Sequence, residues 1–165
     1  MKLRFILSNP GMTQSLGRCL AHVLGPNDVI LMSGDLGAGK TTLTKNIVKW
    51  LGVEEKEVTS PSFSLIHEYK GDNLTIIHAD MYRLGPFADI EETGLEDYIE
   101  RDNLVIIEWS EFLDPALFSR PLLITLAWLD EEAREIEITG TTDYWESRLG
   151  KVADCMKSLT EGTGG

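Results

Sequence analysis

Residues 28–52 place three patterns in an order that few folds accommodate. An apolar run, Asp28-Val29-Ile30-Leu31-Met32-Ser33, leads into a glycine-spaced loop, Gly34-Asp35-Leu36-Gly37-Ala38-Gly39-Lys40-Thr41-Thr42. Leu43, Ile47, Val48 and Leu51 then recur at helical spacing before Gly52. The apolar run predicts a buried strand and the periodic stretch an amphipathic helix that stops at the glycine. A loop in that position aims successive backbone N–H groups, together with the positive end of the helix dipole, at one point in space. A phosphate chain fits there, with Lys40 reaching the β- and γ-phosphates and the Thr41 hydroxyl offered to Mg²⁺.

The remainder of the chain supplies a sheet around this unit. Residues 3–8 read as a short strand, broken by Asn9-Pro10-Gly11. A helix capped by Thr13 then carries Leu16, Cys19, Leu20, Val23 and Leu24 on one face and ends at Gly25-Pro26. Residues 63–69 and 74–80 read as a hairpin turning at Lys70-Gly71-Asp72-Asn73, and residues 122–128 and 134–139 as another turning at Asp130-Glu131-Glu132. Between them lie an acidic helix over 87–99, weakened by Gly94, and an apolar strand over 104–108. Trp145, Leu149, Val152, Met156 and Leu159 alternate in steps of four and three, which predicts a closing amphipathic helix. The expected fold is therefore α/β, three-layered like the P-loop NTPases, with a mixed, partly antiparallel central sheet. One domain over 1–160 and a flexible tail over 161–165 account for all 165 residues.

Charge narrows the partners. With 27 acidic against 15 basic side chains and a net charge of −12, the surface repels a phosphate backbone, so strong independent nucleic-acid binding is not expected. The basic start at Lys2 and Arg4 precedes only a few apolar residues and no cleavage site, which predicts a cytoplasmic chain without signal peptide or membrane span. Cys19 and Cys155 stand far apart on apolar helix stripes without a metal-ligand pattern, and are expected to be reduced core residues. His22, His67 and His78 have no Cys or His neighbour at metal spacing and are read as structural or surface groups.

Binding a nucleotide needs only the loop; hydrolysis also needs an acid on the metal and a group that positions the attacking oxygen. Asp80 ends the run Leu74-Thr75-Ile76-Ile77-His78-Ala79, and Glu108 ends Leu104-Val105-Ile106-Ile107. Both carboxylates would thus emerge at the carboxyl ends of buried strands, where α/β sheets place their ligands. Glu108 is the better candidate to hold Mg²⁺ with Thr41, and Asp80 to orient or activate water, although the two roles are exchangeable on sequence alone. Thr59-Ser60-Pro61-Ser62 is a rigid hydroxyl-bearing turn placed where a γ-phosphate sensor belongs, or simply a polar turn. Arg83 and Arg134 are available to phosphate charge or to ordinary ion pairs. A GTPase lacks its Asn-Lys-x-Asp and Asp-x-x-Gly segments here; a small-molecule kinase and a nucleotide-switched binding module, with the acidic stretch near Glu91 and Glu96 as contact surface, remain open.

Together the loop Gly34-Asp35-Leu36-Gly37-Ala38-Gly39-Lys40-Thr41-Thr42, Thr59-Ser60-Pro61-Ser62-Phe63, His78-Ala79-Asp80-Met81-Tyr82-Arg83 and Ile107-Glu108-Trp109-Ser110-Glu111 resemble the ordered motifs of the TsaE (YjeE) family. The resemblance implies a small bacterial ATPase required for N6-threonylcarbamoyladenosine at position 37 of tRNA. It also implies action beside the TsaD and TsaB proteins, with ATP and Mg²⁺ as cofactors. Residue by residue, it implies that Gly37, Ala38, Gly39, Lys40, Thr41 and Thr42 hold ATP, that Thr41 and Glu108 bind Mg²⁺, and that Lys40 and Asp80 serve hydrolysis. Thr59, Ser60, Pro61 and Ser62 resemble a nucleotide-sensing switch; Trp109 and Glu111 match the pattern beside the site, which implies that Glu111 also contacts the nucleotide, and Thr13 and Arg134 would frame it.

Overall fold

The computed structural model describes residues 1–54, 66–82, 93–99 and 101–162. Seven strands form one sheet: β1 (Lys2–Leu7), β2 (Val29–Ser33), β3 (Ile66–Lys70), β4 (Thr75–Asp80), β5 (Leu104–Glu108), β6 (Leu122–Trp128) and β7 (Arg134–Gly140). Their order is β1-β7-β6-β2-β5-β4-β3. β2 runs parallel to both β5 and β6, and β4 parallel to β5, whereas β1–β7, β6–β7 and β3–β4 pair antiparallel. The mixed sheet follows from the sequence: the two short hairpins fold back on themselves, while β2 and β5 can become parallel neighbours only through long crossovers.

Four helices stand among the described residues: α1 (Pro10–Ala21), α2 (Lys40–Lys49), α3 (Leu95–Ile99) and α4 (Glu146–Glu161). Successive strand residues point to opposite faces, so β2 splits its side chains between two cores. Ile30 and Met32, with Ile106, pack with Leu16, Leu43 and Leu149 of α1, α2 and α4. Val29 and Leu31, with Ile107, pack with Leu95, Leu113 and Phe118 on the other face. Because both faces are covered, β2 and β5 read as continuous apolar runs instead of alternating ones.

Two expectations change, and a third is described only in part. α1 begins at Pro10, not after Thr13: the Asn9 side chain accepts the Met12 N–H at 3.0 Å as the cap, and Pro10 is preset for the first helical position, where its missing N–H costs nothing. Thr13 therefore lies inside the helix. Cys19 and Cys155 are not reduced; they form a disulfide that joins α1 to α4 across 136 residues. Each is a stripe residue as expected, but the stripes of α1 and α4 face each other, a pairing that one-dimensional spacing does not reveal. The acidic helix over 87–99 is described only in its last part, where Gly94 has φ +74° and α3 starts after it.

Candidate functional site

The carboxyl ends of β2, β4 and β5 come together on the α2 side of the sheet. Asp80 and Glu108 are register partners in the parallel β4–β5 ladder, and Met32 is the partner of Glu108 across β2–β5. The two acids consequently stand side by side on one face, directly where β2 leaves the sheet to enter residues 34–39.

That loop is shaped by glycines at two points. Gly34 has φ +142°, and a Cβ there would lie 2.4 Å from the Leu126 carbonyl oxygen, so a side chain is excluded both by conformation and by space. Gly39 has φ +103° and is the N-cap of α2 without any side-chain cap bond. The open N–H groups of the first turn are thus left for a ligand, and the helix dipole points the same way.

Glu111 closes the loop from outside, its Oε1 accepting the Gly34 N–H at 2.8 Å. Lys40 is 5% exposed; its Nζ donates to the carbonyls of Gly34 and of Asp35, the latter at 3.1 Å, and sits 3.7 Å from the centroid of the Trp109 ring. Burial pulls the Lys40 ammonium pKa down, opposed by the carboxylates of Glu111, Glu108, Asp80 and Asp35. Trp109 reaches this position through a left-handed backbone, φ +60°, a conformation that costs free energy in a bulky residue. Its ring also packs on Tyr82, with centroids 4.6 Å apart.

Thr41 Oγ1 donates to Glu108 Oε1 at 2.8 Å. The other Glu108 oxygen is hydrogen-bonded to His78 Nε2, and His78 Nδ1 lies 3.2 Å from the Tyr69 hydroxyl. Asp80 Oδ1 accepts the Tyr82 N–H at 2.9 Å. Burial raises the Asp80 pKa above the usual carboxylate value and the neighbouring Glu108 adds to it, while the Tyr82 N–H, His78 and Lys40 act the other way. A carboxyl held more basic than usual at the wall of a cavity suits proton handling.

The cavity measures about 460 Å³. Lys40, Thr41, Asp80 and Glu108 line it, together with Gly37, Gly39, Thr42 and Arg134. A smaller cavity of about 200 Å³ adjoins it through Gly39, Thr42 and Arg134, and brings in Thr13 and Ala38. Arg134 stands between the two: its Nη1 is engaged by the carbonyls of Asp130 and Ala133 at 2.6 and 2.9 Å, while its buried Nε has no hydrogen-bond partner. Glu111 lines neither cavity and acts on the loop backbone. Thr59, Ser60, Pro61, Ser62 and Arg83 lie outside the described residues.

Two residues beyond the expected set join the site: Tyr69, and His78, whose expected role was only that of a structural or surface group. The signal for His78 was present: it precedes Asp80 by two positions on one strand, and residues two apart share a face.

The model of the family described as threonylcarbamoyl adenosine biosynthesis protein TsaE matches residues 7–137. The tRNA threonylcarbamoyladenosine biosynthesis protein TsaE of Rickettsia felis is 42% identical over 144 residues, 87% of this chain and 82% of that protein. The protein of the same name from Bacillus subtilis is 32% identical over 145 residues, 88% and 90% of the two chains. Among solved structures, YdiB of Bacillus subtilis superposes with a TM-score of 0.74 at 28% identity, covering 93% of this chain and 95% of the other.

Proposed function

The chain belongs to the TsaE family of tRNA threonylcarbamoyladenosine biosynthesis proteins, and from that premise we propose that it is an ATPase acting in the cytoplasm beside TsaD and TsaB. The observation that carries the reading is the 2.8 Å bond from Thr41 to Glu108 in a cavity that the phosphate loop lines. Two hard oxygens at the mouth of the loop suit Mg²⁺, which keeps most of its shell for water and phosphate. A bound magnesium ion would neutralise charge building on the phosphate oxygens.

The chain's own groups then divide the work. The N–H groups from Gly37 to Thr42 and the Lys40 ammonium hold the phosphates; to do so Lys40 exchanges its two carbonyl partners for phosphate oxygens. Glu108 rather than Asp80 is the metal-side acid, because Thr41 is bonded to Glu108. Asp80, beside it and more basic than an ordinary aspartate, orients the attacking water and takes its proton. Thr13 and Arg134 frame the rest of the nucleotide at the smaller cavity, and Glu111 fixes the entrance of the loop. The assignment of Thr59, Ser60, Pro61 and Ser62 as the nucleotide-sensing switch rests on sequence.

Phosphate release tests the proposal. The isolated chain should turn over ATP slowly and release phosphate faster when TsaD and TsaB are added, and Lys40→Ala should no longer bind ATP. A rate indifferent to both partners would reject the assigned role, and a phosphorylated small molecule in place of free phosphate would identify a kinase.

A further inference from the structure

We propose that His78 and Tyr69 are positioning residues that set the metal affinity of this site by fixing the carboxylate of Glu108. The inference rests on the ATPase reading and concerns residues that never touch the nucleotide.

His78 is fully buried and Glu108 is 2% exposed. β4 otherwise carries apolar residues at this depth, since Ile76, Ile77 and Ala79 are all buried among hydrophobic neighbours. A leucine at position 78 would fill such space without desolvating an imidazole, so the ring must be held by its bonds. Both ring nitrogens have partners: Nε2 meets Glu108 Oε2, and Nδ1 lies 3.2 Å from the Tyr69 hydroxyl. The proton assignment follows from the carboxylate, which only accepts. His78 carries a hydrogen on Nε2 and donates it to Glu108, while its Nδ1 faces the Tyr69 hydroxyl, which also lies 3.5 Å from His67 Nδ1.

The consequence is a carboxylate with two different oxygens. Oε2 is tied back into the sheet by His78, while Oε1 faces Thr41 and the cavity. The side chain cannot swing to offer both oxygens or to turn away, so the orientation needed at the metal is fixed before the metal arrives. Tyr69 reaches the chain from β3, whose antiparallel register places His67 opposite His78 and Tyr69 opposite Ile76. The edge hairpin is thereby coupled to the metal side of the site and not to the phosphate loop. Loss of either residue should weaken metal binding and leave the loop's hold on the nucleotide unchanged.

The test uses Mn²⁺ as a paramagnetic probe with the full chain. Free Mn²⁺ is titrated by electron paramagnetic resonance against the ADP complex, and ADP affinity is measured separately in EDTA. His78→Leu should weaken Mn²⁺ binding about 10–100-fold, the usual range for partners of metal ligands, with ADP affinity in EDTA unchanged. His78→Gln, whose amide N–H reaches about as far as Nε2, should restore most of the loss, and Tyr69→Phe should show a smaller weakening in the same direction. Mn²⁺ affinity equal to wild type in His78→Leu, or an equal fall in metal-free ADP affinity, overturns the inference. Should His78→Leu fail to fold, Tyr69→Phe decides: unchanged Mn²⁺ affinity there overturns it as well. A wild-type chain that binds no ADP removes the ATPase reading and this inference together, whereas wild-type binding with unaltered variants removes this inference alone.

Discussion

Two buried carboxylates, Asp28 before β2 and Glu108 at the end of β5, occupy opposite ends of the same parallel strands. Asp28 is fully buried and accepts the Gly25 N–H at 2.8 Å and the Tyr144 hydroxyl at 2.7 Å, with the Arg120 guanidinium 3.8 Å away. Arg120 and Arg148 both stack on the Tyr144 ring, 3.8 and 4.2 Å from its centroid, and Arg148 Nη1 donates to the Val23 carbonyl at 2.9 Å. Every group in that cluster points at another part of the protein, and together they tie the start of α4 to the start of β2. At the other end, Thr41 and Lys40 rest on partners they can exchange, and Arg134 Nε has none. Saturation marks a polar cluster that holds the fold, and exchangeable partners mark one that holds a ligand. The two should therefore respond to substitution with opposite profiles.

The largest contrast lies in activity. Glu108→Ala should retain nucleotide binding but lose metal-dependent phosphate release by about 10²–10³-fold, the several kcal/mol that a misplaced metal forfeits; equal rates for variant and wild type would remove Glu108 from the metal. Next is the Cys19–Cys155 disulfide, which joins residues 136 apart in sequence and holds α4 just past its middle. Replacing both cysteines by serine should cost about 2–4 kcal/mol in urea unfolding and leave ATP affinity unchanged. Asp28→Ala should cost about 2 kcal/mol, because the Tyr144 hydroxyl and the Gly25 N–H lose their acceptor, again without changing turnover by the folded protein. A drop in activity exceeding the drop in folded fraction would blur the distinction between the two ends.

The same contrast explains what was legible in the chain. The strand, loop and helix around Gly34–Thr42 are encoded locally, in an apolar run, positive-φ glycines and helical periodicity, and the two hairpins carry their own turn residues. Asp80 and Glu108 were readable because a strand end is a local feature, but their side-by-side register is not. The contacts of His78 with Tyr69 and Glu108, the facing of Cys19 and Cys155, and the Asp28–Tyr144 clamp all join residues distant in sequence. Such pairings are set by strand order and helix packing, which no periodicity records. Asn9 displaced Thr13 as the cap because a proline at the first helical position outweighed the later hydroxyl.

The smallest expected effect is the sharpest test of the comparison, since it concerns the sign of one carboxylate's contribution. Burial holds the Asp80 pKa above its ordinary value, so the folded chain favours its protonated form more than the unfolded chain does. The stability linked to that proton is present in full below the unfolded value of roughly 4 and is lost as pH rises through the raised folded value. At pH 7, without nucleotide or metal, the ionised Asp80 accordingly weighs against folding. Asp80→Asn, which keeps an acceptor for the Tyr82 N–H, should raise the melting temperature slightly at pH 7, and the gain should shrink as pH falls toward 4. Partial exposure keeps the shift small. Asp28→Asn should instead lower the melting temperature at pH 7, because one of its two accepting oxygens becomes a donor facing partners that also donate. A lower melting temperature for Asp80→Asn would mean that Asp80, like Asp28, holds the fold, and the division between the two ends of the sheet would fail at the residue assigned to the water.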